Sequence, residues 1–355
     1  MRPRLRDLGI SIGELPTGPN NAITDVPDVL VGHATIIRDE PEVVRSGVTM
    51  VVPRSGDIWT DHAFAAWYNF SGNGEMTGLP WIEESGLLGS PIGLTNTHQV
   101  GLVRDFLVKD AVRQGVADAF HLPVVAETYD GWLNTIESFP VTAADADRAL
   151  AEADGGPIAE GGVGGGTGMI CHEFKGGIGS SSRIAATDAG THTVGVLVQA
   201  NYGKRRDLRI AGVPVGHQIG YDEVASPWPE PPSGGSIIII VATDAPLLPV
   251  QCHRLAKRAV VGLGRVGGYG HNSSGDIVLA FATGNHLPSG VESKVEVSMF
   301  PNRHIDPLFH GVAEATEEAI LNALCGAETM VGRQGRVASE LPLDRVVELV
   351  GGRHH

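Results

Sequence analysis

Apolar residues along this chain fall into short runs, alternating or continuous, that are bounded by Gly, Pro or Asp; these predict β-strands. The runs are VLVGHATI (29–36), VTMVVP (48–53), PIGLTN (91–96), PVVAET (123–128), HTVGVLVQA (192–200), SIIIIVAT (236–243), DIVLAFAT (276–283) and KVEVSMF (294–300). Elsewhere apolar positions recur three and four residues apart, which predicts helices over 100–114, 143–153, 247–263, 306–326 and 342–351. Pro249 and Pro307 fall in first turns, where a missing N–H costs no hydrogen bond. Several strands are apolar on both faces and need a covering layer on each side, so the pattern implies a mixed α/β fold. No fixed-period repeat and no long linker interrupts it. The one break is YDEVASPWPEPPSGG (221–235), a proline-rich loop that runs straight into the strand beginning at Ser236.

Composition narrows the class without naming it. With 355 residues, 42% hydrophobic and 19% charged, the chain reads as an ordinary globular protein. Its 48 glycines are spread among apolar segments, which speaks for tight turns and close backbone approaches rather than disorder. A formal net charge of −15 argues against a nucleic-acid partner, because phosphate contacts need clustered Lys and Arg. Cys171, Cys252 and Cys325 lack metal or disulfide spacing and read as buried reduced thiols. The N-terminal MRPRLRDLGISIGELPTG has no apolar core of signal-peptide length, and no run is long enough to span a bilayer. A cytoplasmic protein without a membrane partner is expected.

Most motifs favour a plain explanation. GLGRVG (262–267) fits G-x-G-x-x-G, but a helical pattern precedes it, whereas a dinucleotide fingerprint needs a strand before and a helix after. A glycine-rich turn closing a helix is the better reading. The run AEGGVGGGTGMICHEFKGGIGSSSR (159–183) lacks the Gly-Lys-Ser/Thr ending of a phosphate loop, yet its backbone N–H groups could shape a substrate cavity. Fourteen histidines are scattered without a metal-binding spacing, and His354 and His355 form a terminal tail. The hydroxyls of SSSR (180–183) and NSSGD (272–276) read as turn chemistry.

Ser236 is different, because it is a lone small hydroxyl between Gly-Gly and four isoleucines. If the bond between Gly235 and Ser236 is cut, Ser236 becomes an N-terminus at the start of a buried strand. Its own α-amine, with a reference pKa of roughly 7.7–8.0, can then serve as general base for its hydroxyl. Gly-Gly would permit the strained backbone that an N-to-O acyl shift needs, and the rigid strand would hold the nucleophile in place.

The ordered segments NAITDVPDVLVGHATI (21–36), SGVTMVVPR (46–54), NFSGNGEMTGLPWIEESGLL (69–88), AETYDGWLN (126–134), VQANYGKRRDLRI (198–210), GGSIIIIVATDAPLLP (234–249) and SSGDIVLAFATGN (273–285), with the glycine-rich run between them, resemble peptidase family S58. This family holds the L-aminopeptidase D-amidase/D-esterases and the β-aminopeptidases. The resemblance covers nearly the whole chain. It implies a self-processing N-terminal-nucleophile hydrolase with a single-domain, four-layer αββα sandwich of the kind shared with ornithine acetyltransferase. The cut would fall between Gly235 and Ser236, giving an α chain of residues 1–235 and a β chain of 236–355. Substrates would be short peptides, amino-acid amides or esters. No cofactor or metal is implied, and the assembly would be a tetramer of αβ units.

By the same resemblance, Ser236 matches the nucleophile and Ser274 the hydroxyl that bonds its α-amine. Asp276 matches the acid two positions on, where some relatives carry the longer Glu. Asn201 matches the oxyanion-hole amide, and Tyr129 a tyrosine that helps stabilise the tetrahedral state. Glu127 is expected to anchor the substrate ammonium, because an exopeptidase needs a carboxylate to select a free N-terminus. The alternatives are acetyl transfer of the ornithine acetyltransferase type, a dinucleotide-dependent oxidoreductase using GLGRVG, and an uncleaved binding protein.

Overall fold

The computed structural model describes residues 2–55, 57–116, 120–230 and 234–351. Residues 231–233 of the proline-rich loop, and the terminal His354 and His355, lie outside the described residues. One sheet has the order β1 (Leu30–Arg38), β2 (Val44–Val52), β5 (Ile92–Asn96), β6 (Val124–Thr128). The larger sheet runs β4 (Leu87–Leu88), β3 (Asp61–Gly72), β12 (Gly275–Pro288), β11 (Ser236–Thr243), β10 (Gly190–Asn201), β9 (Gly177–Thr187). Between β6 and β9 the chain makes a small hairpin, β7 (Ile170–Cys171) and β8 (Phe174–Lys175). Pairing is antiparallel except for β5 with β6 and β11 with β12.

The four isoleucines show how the layers are built. Side chains alternate along a strand, so Ile238 and Ile240 enter the core between the sheets, where they share a cluster with Val51, Leu94, Ala126 and Leu279. Ile237 and Ile239 face the other way, into a core closed by α4 (Pro249–Val266) and α5 (Asp306–Gly326). The outer face of the smaller sheet is covered by α2 (Val100–Arg113) and α3 (Ala143–Ala151), through Val103, Leu107, Ala146 and Ala149. The result is a four-layer αββα sandwich, as the resemblance implies. Two short helices, α1 (Leu79–Ser85) and α6 (Leu343–Gly351), sit at the margins. Burying an isoleucine fully is worth roughly 1.5–3 kcal/mol relative to exposure. Four in succession therefore fix β11 firmly, together with the serine that starts it.

Some expectations need correction. β3 was not marked by its sequence because Ala63, Ala65 and Ala66 stand where branched residues would signal a strand. β9 contains the Ser180–Ser181–Ser182–Arg183 run, which is not a turn but a fully buried strand. Ser180 Oγ donates to Val196 O at 2.6 Å and Ser181 Oγ to Asn21 Oδ1 at 2.8 Å, while Arg183 pairs with Glu314 and Glu318 of α5 at 3.0 and 2.7 Å. Conversely, residues 294–299 form no strand and are exposed; only Phe300 at the end of that alternating run enters the core.

Gly262 and Gly264 lie inside α4, with no strand before them, so the dinucleotide reading is overturned. An added Cβ at Gly262 would sit 2.4 Å from Ala313 O, so this glycine lets α4 and α5 approach closely. The three cysteines are buried and free. Among the described residues no helix is long and apolar enough to cross a membrane.

Candidate active site

Strand register builds the site. β11 begins at Ser236, whose pairing partner is Asn201, the last residue of β10, on one side and Gly275, the first residue of β12, on the other. Ser274 and Asp276 flank Gly275, so the pairing carries both to the start of β11. Ser274 Oγ donates to Asp276 Oδ1 at 2.6 Å; the shorter aspartate does reach the serine. Burial is the main influence on Asp276 and pushes its carboxyl up to about 6, against the opposing bonds from Ser274 and the Ile237 N–H. Ser236 is itself buried to 8% exposure, and among the described residues its hydroxyl has no hydrogen-bond partner.

Ser236 opens onto a cavity of about 600 Å³ whose wall includes Asn201, Tyr129, Glu127, Gly168, Trp132 and Trp228. The Asn201 side chain is held at both ends. Its Oδ1 accepts the Ile170 N–H at 2.8 Å, and its Nδ2 donates to Tyr129 O at 3.0 Å. These two bonds fix which end is nitrogen and leave one N–H of that nitrogen for a ligand. Tyr129 is half exposed, and its ring lies over Gly131, where an added Cβ would meet the phenol oxygen at 2.4 Å.

Glu127, near the end of β6, is 4% exposed. It accepts the Glu75 N–H at 3.0 Å and the Thr97 hydroxyl, and among the described residues it has no ion-pair partner. Burial raises its carboxyl above the ordinary range. A buried carboxylate on a cavity wall, with no cation of its own, has the chemistry to accept a ligand cation. The structure thus brings Ser236, Asn201, Tyr129 and Glu127 together on one cavity, with Ser274 and Asp276 just behind Ser236.

Other contributors went unread in the sequence. Lys175 is fully buried, with its ammonium donating to the carbonyls of Gly166 at 3.3 Å, Met169 at 2.9 Å and Gly176 at 2.7 Å. It gathers carbonyls of the glycine-rich loop that supplies Gly168 and the Ile170 N–H to the site; burial pulls its pKa down to about 7. Trp132 and Trp228 pack with ring centroids 6.0 Å apart and form an aromatic wall, Trp228 coming from the proline-rich loop. Asp130, next to Tyr129, is buried and accepts the Asn134 Nδ2 at 3.0 Å; burial pushes it up to about 7. The crowding of Trp, Asp and Gly in AETYDGWLN is a signal for Asp130 and Trp132 alone; Lys175 and Trp228 lie outside it. Among the described residues no cluster of His, Cys, Asp or Glu is arranged to hold a metal ion.

Known proteins share this arrangement of the chain. The family model described as Peptidase family S58 matches residues 21–338. The β-peptidyl aminopeptidase BapA of Sphingosinicella microcystinivorans is 45% identical, with 96% of this chain and 90% of that protein aligned. Among solved structures, a Burkholderia sp. β-aminopeptidase superposes with a TM-score of 0.93 at 51% identity, covering 100% of this chain and 99% of the other. The L-aminopeptidase D-Ala-esterase/amidase of Ochrobactrum anthropi, described as a prototype for the serine aminopeptidases and a new variant among the Ntn hydrolase fold, gives 0.91 at 40% identity, with 100% of each chain covered.

Proposed function

The chain belongs to peptidase family S58 and is an aminopeptidase of N-terminal-nucleophile type, and from that premise we propose that Ser236 is its nucleophile. In this reading a cut between Gly235 and Ser236 divides the single domain into chains of residues 1–235 and 236–355. The observation that carries it is the register at Ser236, which sets Asn201 across from it on β10 and the Ser274–Asp276 pair beside it on β12.

Hydrolysis then proceeds as follows. Glu127 receives the substrate ammonium and so aligns the first peptide carbonyl with Ser236. Ser236 Oγ attacks that carbonyl carbon while the new α-amine takes the proton. The free N–H of the Asn201 side chain, assisted by Tyr129, stabilises the oxyanion. The leaving amine departs with the proton, and water hydrolyses the ester on Ser236. Ser274, bonded to Asp276, orients the α-amine.

The substrate class is an N-terminal residue with a free amine, in a short peptide, amide or ester. The relatives named β-peptidyl aminopeptidase and β-aminopeptidase favour β-amino-acid residues, with L-α residues as competitors. The aminopeptidase names favour hydrolysis over acetyl transfer. The same reading expects a cytoplasmic tetramer of αβ units, which light scattering on a sizing column tests for the assembly.

The test of function is a panel of p-nitroanilides carrying β-homo, L-α and D-α residues, each free and N-acetylated, beside acetylornithine with glutamate. Release of p-nitroaniline from free-amine compounds only is expected. Acetyl transfer without hydrolysis, or equal cleavage of blocked substrates, contradicts the reading.

A further inference from the structure

The proposed scissile peptide is wedged between β10 and β12, and glycines make the wedge possible. An added Cβ at Gly235 would lie 2.5 Å from Asn201 O and 2.6 Å from Tyr202 Cα. One at Gly234 would lie 2.1 Å from Ser273 Oγ, and one at Gly275 2.4 Å from Asn73 O. Gly235 does not take a left-handed backbone. These glycines therefore serve close approach rather than the backbone strain that the sequence suggested.

Within the wedge the scissile carbonyl is already engaged. Gly235 O accepts the Gly275 N–H at 3.1 Å, and among the described residues it has no other partner. The Asn201 amide bonds Ile170 and Tyr129 rather than Gly235 O, and with its remaining N–H it lines the substrate cavity. Gly275 does not line that cavity. The chain's own scissile carbonyl thus faces the β12 flank of Ser236, while the Asn201 amide faces the cavity from the β10 flank.

We propose that the main-chain N–H of Gly275 is the oxyanion donor for self-cleavage, distinct from the Asn201 amide that serves hydrolysis. The inference rests on the reading that the chain is cut between Gly235 and Ser236. In the step, Ser236 Oγ forms a bond to the Gly235 carbonyl carbon, and the carbonyl electron pair moves onto the oxygen held by Gly275. As that pair returns, the carbon–nitrogen bond breaks, and the proton that left the hydroxyl ends on the Ser236 nitrogen. Water then adds to the ester through a second oxyanion at the same place. It leaves Gly235 as a carboxylic acid, which ionises, and restores the Ser236 hydroxyl beside a free amine. A main-chain donor suits a reaction that happens once, because it is set by the parallel pairing of β11 and β12 before any substrate is present.

The test replaces the Gly275 N–H with an ester oxygen, by incorporating glycolic acid at that position of the full chain. An ester at Leu279, in the same strand pairing, serves as control. Appearance of the two chains is followed by gel and mass spectrometry. Loss of an oxyanion donor is worth about 100- to 1,000-fold in rate, so the Gly275 ester is expected to process that much more slowly than the Leu279 ester. Equal processing rates overturn the proposal.

Amide exchange gives a reading that does not depend on the ester variant folding. In uncut Ser236→Ala chain the Gly275 amide is expected to be protected, and in the cut enzyme to exchange at least about tenfold faster. Equal protection before and after the cut removes Gly275 from the role. A Ser236→Ala chain that is still cut at 235/236 refutes the underlying reading instead. If that variant stays whole while the Gly275 ester processes normally, the oxyanion assignment fails alone.

Discussion

Strands β10 and β12 border the same serine and offer it different chemistry. On the β10 flank the donor is a side chain, Asn201, held by Ile170 and Tyr129 on a cavity wall. On the β12 flank it is a backbone N–H, with a carboxylate and a hydroxyl on either side of it. The first flank opens onto the cavity, and its loop is tied down by a buried lysine. The second holds the carbonyl of the chain's own Gly235. In the proposed reading, a central strand paired on both edges presents one nucleophile to two reactions.

Ser236→Ala removes what the flanks share. Both the cut and hydrolysis are expected to be lost, hydrolysis by at least about 10⁴-fold, read by gel and by p-nitroanilide assay. Asn201→Ala separates them: kcat should fall about 100- to 1,000-fold, with a much smaller effect on processing rate. An equal loss in both would show that the flanks are not distinct. Glu127→Gln acts only on the cavity side. It should raise KM for free-amine substrates about 10- to 100-fold, the worth of one charged hydrogen bond, while the chain is still cut.

The pH dependence sharpens the contrast with the smallest change. The uncut chain has no amine at Ser236, so its acid limb follows Asp276, which burial holds up to about 6. Below that value Asp276 is neutral and no longer accepts the Ser274 proton as a carboxylate, and processing should slow. Hydrolysis also needs the α-amine unprotonated, so its kcat/KM should begin to fall at higher pH, near the roughly 7.7–8.0 of a free α-amine. Superimposable acid limbs would break the comparison.

What the sequence disclosed depended on how each element earns its stability. β11 and α5 were legible because each buries a long apolar series, and their ends matched to the residue. β3 and β9 were not, since alanines and serines gain their place only from neighbours distant in sequence: Ser180 bonds β10 and Arg183 bonds α5. Residues 294–300 carry a strand's alternation without a strand to pair with among the described residues.

At the site, Ser236 stood out by its setting, whereas Asn201, Ser274, Asp276 and Tyr129 came from the resemblance. Lys175 gave no local signal, because its carbonyl partners are gathered by the fold. A donor made of main chain, as at Gly275, leaves no letter to find.

The account turns on whether the nucleophile is a chain terminus. Intact-mass measurement of fully active enzyme, with Edman sequencing of the smaller chain, decides it. Two chains of residues 1–235 and 236–355, the second starting Ser-Ile-Ile-Ile-Ile, are predicted; full activity from one unbroken 355-residue chain would contradict it.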